Sequence, residues 1–254
     1  MHATTEASEH QNARILCSPI VELRRYTLHP GRRDDLITLF DAEFVESQEA
    51  CGMKVIGQFR DLDDPNAFVW LRGFDDMGGR HAALTAFYDG PVWAKHRDAA
   101  NSTMIDSDDV LLLHPADGAA GFVLPDNRPE TNLGEQAPTI IQAITYRLRA
   151  PAESGFLAFH QNRLAAILEQ AGGNRIATFV SEQSENTFAR LPVRLGENVM
   201  VVLARFESIA AHADFTDRLG HDAAWHDAQG DLSTYLVAPA SIARLSPTAR
   251  SRLC

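Results

Sequence analysis

The feature that most constrains this chain is that it repeats itself. Ile20-Val21-Glu22-Leu23-Arg24-Arg25-Tyr26-Thr27-Leu28 returns as Ile140-Ile141-Gln142-Ala143-Ile144-Thr145-Tyr146-Arg147-Leu148, at a constant spacing of 120 residues. The same spacing carries Gly52 onto Gly172, Ile56 onto Ile176 and Phe59 onto Phe179 without a gap. Phe68 to Phe74 then matches Met200 to Phe206 if the second copy holds twelve extra residues in the intervening loop. The copies read as ending alike, Leu113-His114-Pro115-Ala116 against Val237-Ala238-Pro239-Ala240. A period of this length means one supersecondary unit built twice, and any fold must accommodate both copies.

Each copy has the same internal grammar. The first strand, Ile20 to Leu28, stops at His29-Pro30-Gly31, where proline and glycine end an extended segment. A helix follows, with Leu36, Leu39, Phe40 and Phe44 on one face, and Gly52 supplies a left-handed cap. In the second copy Phe156, Phe159, Leu164, Ile167 and Leu168 precede Gly172-Gly173. Strands Lys54 to Arg60 and Ala67 to Phe74 flank the turn-rich Asp61-Leu62-Asp63-Asp64-Pro65-Asn66. A shorter helical region around His81 to Asn101 leads into a last strand, Val110 to His114.

The order β-α-β-β-α-β predicts an α+β fold of two tandem ferredoxin-like units. Residues 1–19 read as a flexible leader, 20–116 as unit one, 117–139 as a linker in which Gly121 to Leu124 forms an edge strand, 140–245 as unit two and 246–254 as a tail. Helices cover one face of each four-stranded sheet, so the other faces are expected to meet across an internal cavity. The result is a single-chain pseudo-dimeric α/β barrel, monomeric or paired again as a homodimer.

Composition narrows the partners. A net charge of −11 repels phosphate backbones and anionic lipid, which argues against nucleic acid and membrane surfaces. No run of about 18 apolar residues is present and the first twelve residues lack an apolar signal core, so a cytoplasmic protein is expected. Cys17, Cys51 and Cys254 are too few and too scattered for a disulfide framework or thiolate cage. His212, His221 and His226 have no recognised metal spacing, and neither a phosphate-binding glycine loop nor a serine-hydrolase elbow occurs, so no cofactor is expected.

Alternation along a strand puts Glu22, Arg24 and Tyr26 on one face of the first strand, and Phe68, Trp70, Arg72 and Phe74 on one face of the third. Small aliphatics suit packing under helices, so the polar and aromatic set is expected to face the inter-sheet cavity. The corresponding residues of the second copy are Gln142, Ile144, Tyr146, Val202 and Ala204, which makes that wall mostly apolar. Buried arginines need a partner. Either Glu22 satisfies Arg24 and Arg72 internally, or the arginines hold an anionic ligand while Glu22 or Tyr26 moves a proton.

Val21-Glu22-Leu23-Arg24-Arg25-Tyr26, Gly52-Met53-Lys54-Val55-Ile56-Gly57-Gln58-Phe59, Phe68-Val69-Trp70-Leu71-Arg72-Gly73-Phe74 and Phe87-Tyr88-Asp89-Gly90-Pro91-Val92-Trp93 together resemble the NIPSNAP family. The resemblance covers Ile20 to Ala116; copy two keeps Tyr146 and Trp225 but not the Trp-Leu-Arg-Gly segment. It implies the dimeric α/β barrel fold and no firm activity. Relatives in that superfamily include cofactor-independent oxygenases, isomerases and cyclases, and haem enzymes.

Two readings follow. The first is an enzyme acting on a small, partly apolar anionic molecule by acid-base or oxygenation chemistry. Tyr26, Glu22 and Arg72 would be catalytic there, and Arg24, Trp70, Trp93, His96 and Tyr146 would bind substrate. The second is a non-catalytic binding or scaffold protein, whose interior would be filled by its own side chains. A haem barrel would need an axial ligand from among His96, His160 and His226.

Overall fold

The computed structural model describes residues 18–125, 128 and 138–254. In the first half, strand β1 (Ile20–Leu28) leads through Gly31 at φ 76° into helix α1. That helix is assembled from Arg33–Leu39, a π turn at Phe40–Phe44 and Val45–Ala50. Strands β2 (Lys54–Asp61) and β3 (Ala67–Phe74), helices α2 (Met77–Tyr88) and α3 (Pro91–Asn101), and strand β4 (Met104–Pro115) complete it. The second half has β5 (Ile140–Leu148) and α4, in which Phe156–Phe159, a π turn His160–Leu164 and Ala165–Gln170 run on. Then come β6 (Asn174–Ser181), β7 (Asn198–Phe206), α5 (Ile209–His221), α6 (Ala223–Tyr235) and β8 (Ser241–Pro247). Gly52 at φ 94° and Gly172 at φ 108° end α1 and α4 in the left-handed region that glycine adopts without steric cost.

All eight strands close into one antiparallel barrel in the order β1-β3-β2-β8-β5-β7-β6-β4. Each half supplies four adjacent strands, joined at two short seams. In one seam Phe59, Arg60 and Asp61 of β2 lie opposite Pro247, Ser246 and Leu245 of β8. In the other Leu113, His114 and Pro115 of β4 lie opposite Ser181, Val180 and Phe179 of β6. An eight-stranded barrel is just wide enough for side chains to fill. Here Val21, Leu23, Val69, Leu71, Leu111 and Leu113 of one half meet Ile141, Ala143, Phe179, Val201, Leu203 and Leu245 of the other.

Three expectations are corrected. The strand faces are the reverse of those expected: the aliphatic set fills the barrel, while Tyr26, Phe68, Trp70 and Phe74 point outward against α1, α2 and α3. A closed barrel of this size has room for branched aliphatics, whereas helices stand further off the sheet and need long side chains to bridge the gap. The closing strand of the second half is not Val237–Ala240 but β8, whose Leu245 pairs with Ile141 as Leu113 pairs with Val21. The spacing of 132 residues set by the longer loop therefore holds to the end of the sheet. Gly121 to Leu124 forms no strand, and buried Phe122 packs on Phe179 instead. Residues 1–17 and most of the 126–137 stretch lie outside the described residues.

Candidate functional site

Between the sheet and helices of the first half, Glu22 is enclosed by three guanidinium groups. Arg24 Nη1 donates to its Oε2 at 2.7 Å, Arg72 Nε to Oε2 at 2.8 Å and Arg80 Nε to Oε1 at 2.7 Å. All four side chains are 0–1% exposed. Burial alone would raise the Glu22 carboxyl, but Arg72, Arg24 and Arg80 outweigh it and hold the group far below the carboxylate range. One carboxylate cannot neutralise three cations, and dipoles and ring faces take the remainder. Arg24 Nε donates to the Tyr26 hydroxyl at 3.1 Å, Arg72 Nη1 to Gln48 Oε1 at 3.3 Å and Arg80 Nη1 to Asn186 Oδ1 at 3.0 Å. The Arg24 and Arg72 guanidiniums lie 5.6 and 5.1 Å from the centre of the Trp70 ring.

Asn186 comes from the other half, in the longer β6–β7 connection, which crosses over as a strap. Its Phe188, Leu191 and Val193 join the first-half core, Thr187 O meets His81 Nδ1 at 2.6 Å, and Arg190 pairs with Asp89 at 2.6 Å. The twelve extra residues noticed in the sequence are therefore a cover for the Glu22 cluster.

The equivalent space in the second half is open. A cavity of about 650 Å³ lies over β5 and under α5 and α6, and its floor is Gln142, Ile144 and Tyr146, the counterparts of Glu22, Arg24 and Tyr26. Strand register fixes the equivalence: Gln142 faces Ala204 and Ile144 faces Val202, as Glu22 faces Arg72 and Arg24 faces Trp70. Ile144 for Arg24, Val202 for Trp70, Ala204 for Arg72 and Gly220 for Tyr88 each replace a large side chain by a smaller one. No atom lies within 4 Å of where a Cβ on Gly220 would stand. Residues 236–240, equivalent to Met104–Asp108 at the start of β4, leave the sheet here and line the rim with exposed Val237. The short Asp61–Asn66 connection of the first half provides no strap.

This cavity is apolar with a few neutral polar groups. His212 takes the place of Arg80 and Gln142 that of Glu22, and a neutral hydrogen bond of 2.6 Å between His212 Nε2 and Gln142 Oε1 replaces the ion pair. Burial, then nearby Arg244, lowers the His212 pKa, so the ring is neutral and donates. No hydrogen bond of the Gln142 amide nitrogen is found among the described residues. The Tyr146 side chain is 1% exposed, its hydroxyl has no partner among the described residues, and burial raises its pKa, so it stays protonated as a donor.

The sequence-chosen residues thus divide. Glu22, Arg24, Tyr26, Trp70 and Arg72 do come together, but around each other rather than around a void. Trp93 packs on Phe44, Phe87 and Tyr88 in the first-half core, and His96 Nε2 lies 3.3 Å from Glu43 Oε2 at its edge. Tyr146 alone lines the large cavity. Arg80 and the pairing of His212 with Gln142 went unnoticed, though the 132-residue spacing, carried into the helices, would have aligned Arg80 with His212. His226 bonds Gly220 O at 2.9 Å, away from His212, and no three His, Cys, Asp or Glu side chains converge as a metal site among the described residues. No helix among them is long and apolar enough to cross a membrane.

A closed antiparallel barrel with helices outside, one half filled by an ion cluster and the other hollow, defines an α/β-barrel protein of mixed class. More particularly, residues 21–119 match the NIPSNAP family model. The whole chain is similar in fold to a candidate monooxygenase from Fusobacterium nucleatum, at 9% identity and TM-score 0.57 over 91% of this chain and 92% of that one. It is also similar to a candidate monooxygenase from Lactobacillus acidophilus (12%, TM-score 0.54, 91% and 94%) and to an anthrone oxidase-like protein (13%, TM-score 0.56, 90% and 91%). No curated protein matches the chain in sequence.

Proposed function

We propose that the protein binds an uncharged, largely apolar ring compound in the second-half cavity and adds oxygen to it, as a duplicated ferredoxin-like unit in which one copy keeps the fold and the other carries the site. The observation that carries this reading is the cavity itself, of about 650 Å³, a volume suited to a small organic ligand. No lysine or arginine lines it, so the anionic ligand expected from Arg24 and Arg72 loses its basis: those cations belong to the other half and are satisfied internally. A scaffold protein would have its interior filled by its own side chains. That description fits the first half and not the second.

The chemistry favoured by the fold likeness is oxygenation in which the substrate supplies the electrons: a ring CH2 and O2 give a ring carbonyl and water. Loss of a proton from such a substrate to solvent water at the cavity mouth leaves an enolate, whose oxygen would meet two neutral donors, the Tyr146 hydroxyl and the Gln142 amide. The test combines binding and turnover. N-phenyl-1-naphthylamine should fluoresce in the cavity, and anthrone should consume oxygen with formation of anthraquinone faster than in buffer. Binding without turnover would assign a carrier; no binding of either compound would remove the reading. The variant Gly220→Tyr restores the first-half side chain and should weaken probe binding at least about tenfold, with thermal stability kept because glycine in a helix costs about 0.5–1 kcal/mol.

A further inference from the structure

The ion cluster of the first half shows what its counterpart lacks. Arg80 donates to Glu22 Oε1, while Arg24 and Arg72 both donate to Oε2. In the second half His212 keeps the Arg80 contact, its Nε2 2.6 Å from Gln142 Oε1, and the two residues are 7% and 4% exposed. Arg24 and Arg72 have become Ile144 and Ala204, whose side chains carry no polar atom. The other end of the Gln142 amide, its nitrogen, is therefore without a hydrogen bond among the described residues. That nitrogen is not sealed in, unlike the partnerless Nε2 of His160. Gln142 borders both the main cavity and a small recess beside His160, and the recess presents only apolar surface, so the amide meets the main cavity. Tyr26, whose hydroxyl accepts from Arg24 Nε at 3.1 Å, has its counterpart in Tyr146 on the same cavity floor. A ligand group standing where the Arg24 guanidinium stands in the first half is thus within reach of both Gln142 and Tyr146.

An amide has a donor end and an acceptor end, and His212, which stands behind Gln142 and does not line the cavity, decides which of them the ligand meets. The Gln142 oxygen only accepts, so His212 Nε2 donates to it and the NH2 group is left for the cavity. We propose that His212 is a positioning residue that sets the ligand class: by holding Gln142 Oε1 it selects ring compounds that present a carbonyl oxygen over compounds of the same shape that present an N–H. The proposal rests on the reading of the cavity as a ligand site and deepens it. Tyr146 does not discriminate, because a hydroxyl both donates and accepts. The Gln142 nitrogen does, because an N–H set against it leaves two donors in an apolar space without an acceptor.

The test uses the full chain, displacing N-phenyl-1-naphthylamine with 9-fluorenone and with carbazole, tricyclic compounds of nearly equal size that carry a carbonyl oxygen and an N–H, respectively, at the same place. The expected result is a preference for fluorenone of about tenfold, equivalent to about 1.4 kcal/mol. His212→Glu should reverse the order: beside Arg244 the new carboxylate is ionised and can only accept, so the amide turns over and offers its oxygen to the cavity. A merely structural role for His212 would weaken both compounds alike and leave their order unchanged. Carbazole binding as tightly as fluorenone to the unaltered protein, or a fluorenone preference kept in His212→Glu, would overturn the proposal. If His212→Glu does not fold, His212→Leu decides in its place: the preference should fall below about twofold, and its retention would overturn the proposal. Failure of the probe itself to bind would instead remove the cavity reading on which the proposal stands.

Discussion

Glu22 is the residue that makes three buried arginines tolerable. Removing its charge by Glu22→Gln leaves cations with no anion, and a buried ion pair broken on one side costs about 3–5 kcal/mol; urea unfolding at pH 7 measures it. The folded carboxyl titrates far below the unfolded value of 4.5, so its contribution is complete above that pH and is lost as pH falls beneath it toward the folded value. His160 acts in a different window. Its folded pKa of about 4 lies below the unfolded 6.5, so the unfolded chain takes up the proton first and stability falls between pH 6.5 and 4, by up to about 3 kcal/mol. His212, lowered in the same direction, adds to that slope. Unfolding midpoints measured from pH 8 to 3 should therefore show a first decline that His160→Phe reduces and a second, below 4.5, that Glu22→Gln reduces.

At the scale of elements, the β6–β7 strap decides which half is closed. It reaches the first half through Asn186 on Arg80, Arg190 on Asp89 and Phe188 against Tyr88, whose ring centres lie 5.8 Å apart. Deleting twelve residues of the strap, to match the short Asp61–Asn66 connection, should uncover α2. Hydrogen exchange of residues 77–101 should quicken while residues 209–235 stay as they were. Equal protection in both regions would mean that the first half closes without its strap. The elements around it also explain why the cavity stays hollow: Gly220 of α5 faces it with no side chain, and Leu236 to Ala240 line it without pairing along β5 beyond the single Leu148–Leu236 bridge.

The molecule as a whole folds around a core that neither half owns. Ile141, Val201 and Leu203 of one half pack inside the barrel with Val21, Val69 and Leu71 of the other, and the two seams leave no free sheet edge. The thermal transition should accordingly be single, with calorimetric and van't Hoff enthalpies equal. Leu203→Ala, at a fully buried interior position, should cost about 2–5 kcal/mol and shift that one transition without splitting it. Two resolved transitions would show that the halves fold independently.

The sequence by itself determined the elements and their order. Strand alternation, glycine caps and the repeat are local or self-referential signals, so β1 and β5, the helix ends at Gly52 and Gly172, and the extra length before Met200 are all legible. It also held the strand-borne part of the Glu22 cluster, because Glu22, Arg24 and Tyr26 share a face whichever way that face points, but not Arg80, which a helix supplies. Only the tertiary structure decided the direction. Alternation is symmetric between the two sides of a strand, and barrel closure, which depends on residues more than a hundred positions apart, is what sends Val21 inward and Glu22 toward the helices. Only the structure, likewise, turned the losses at Ile144 and Gly220 into a cavity. A void is the absence of side chains from several elements at one place, and no single segment of sequence records it.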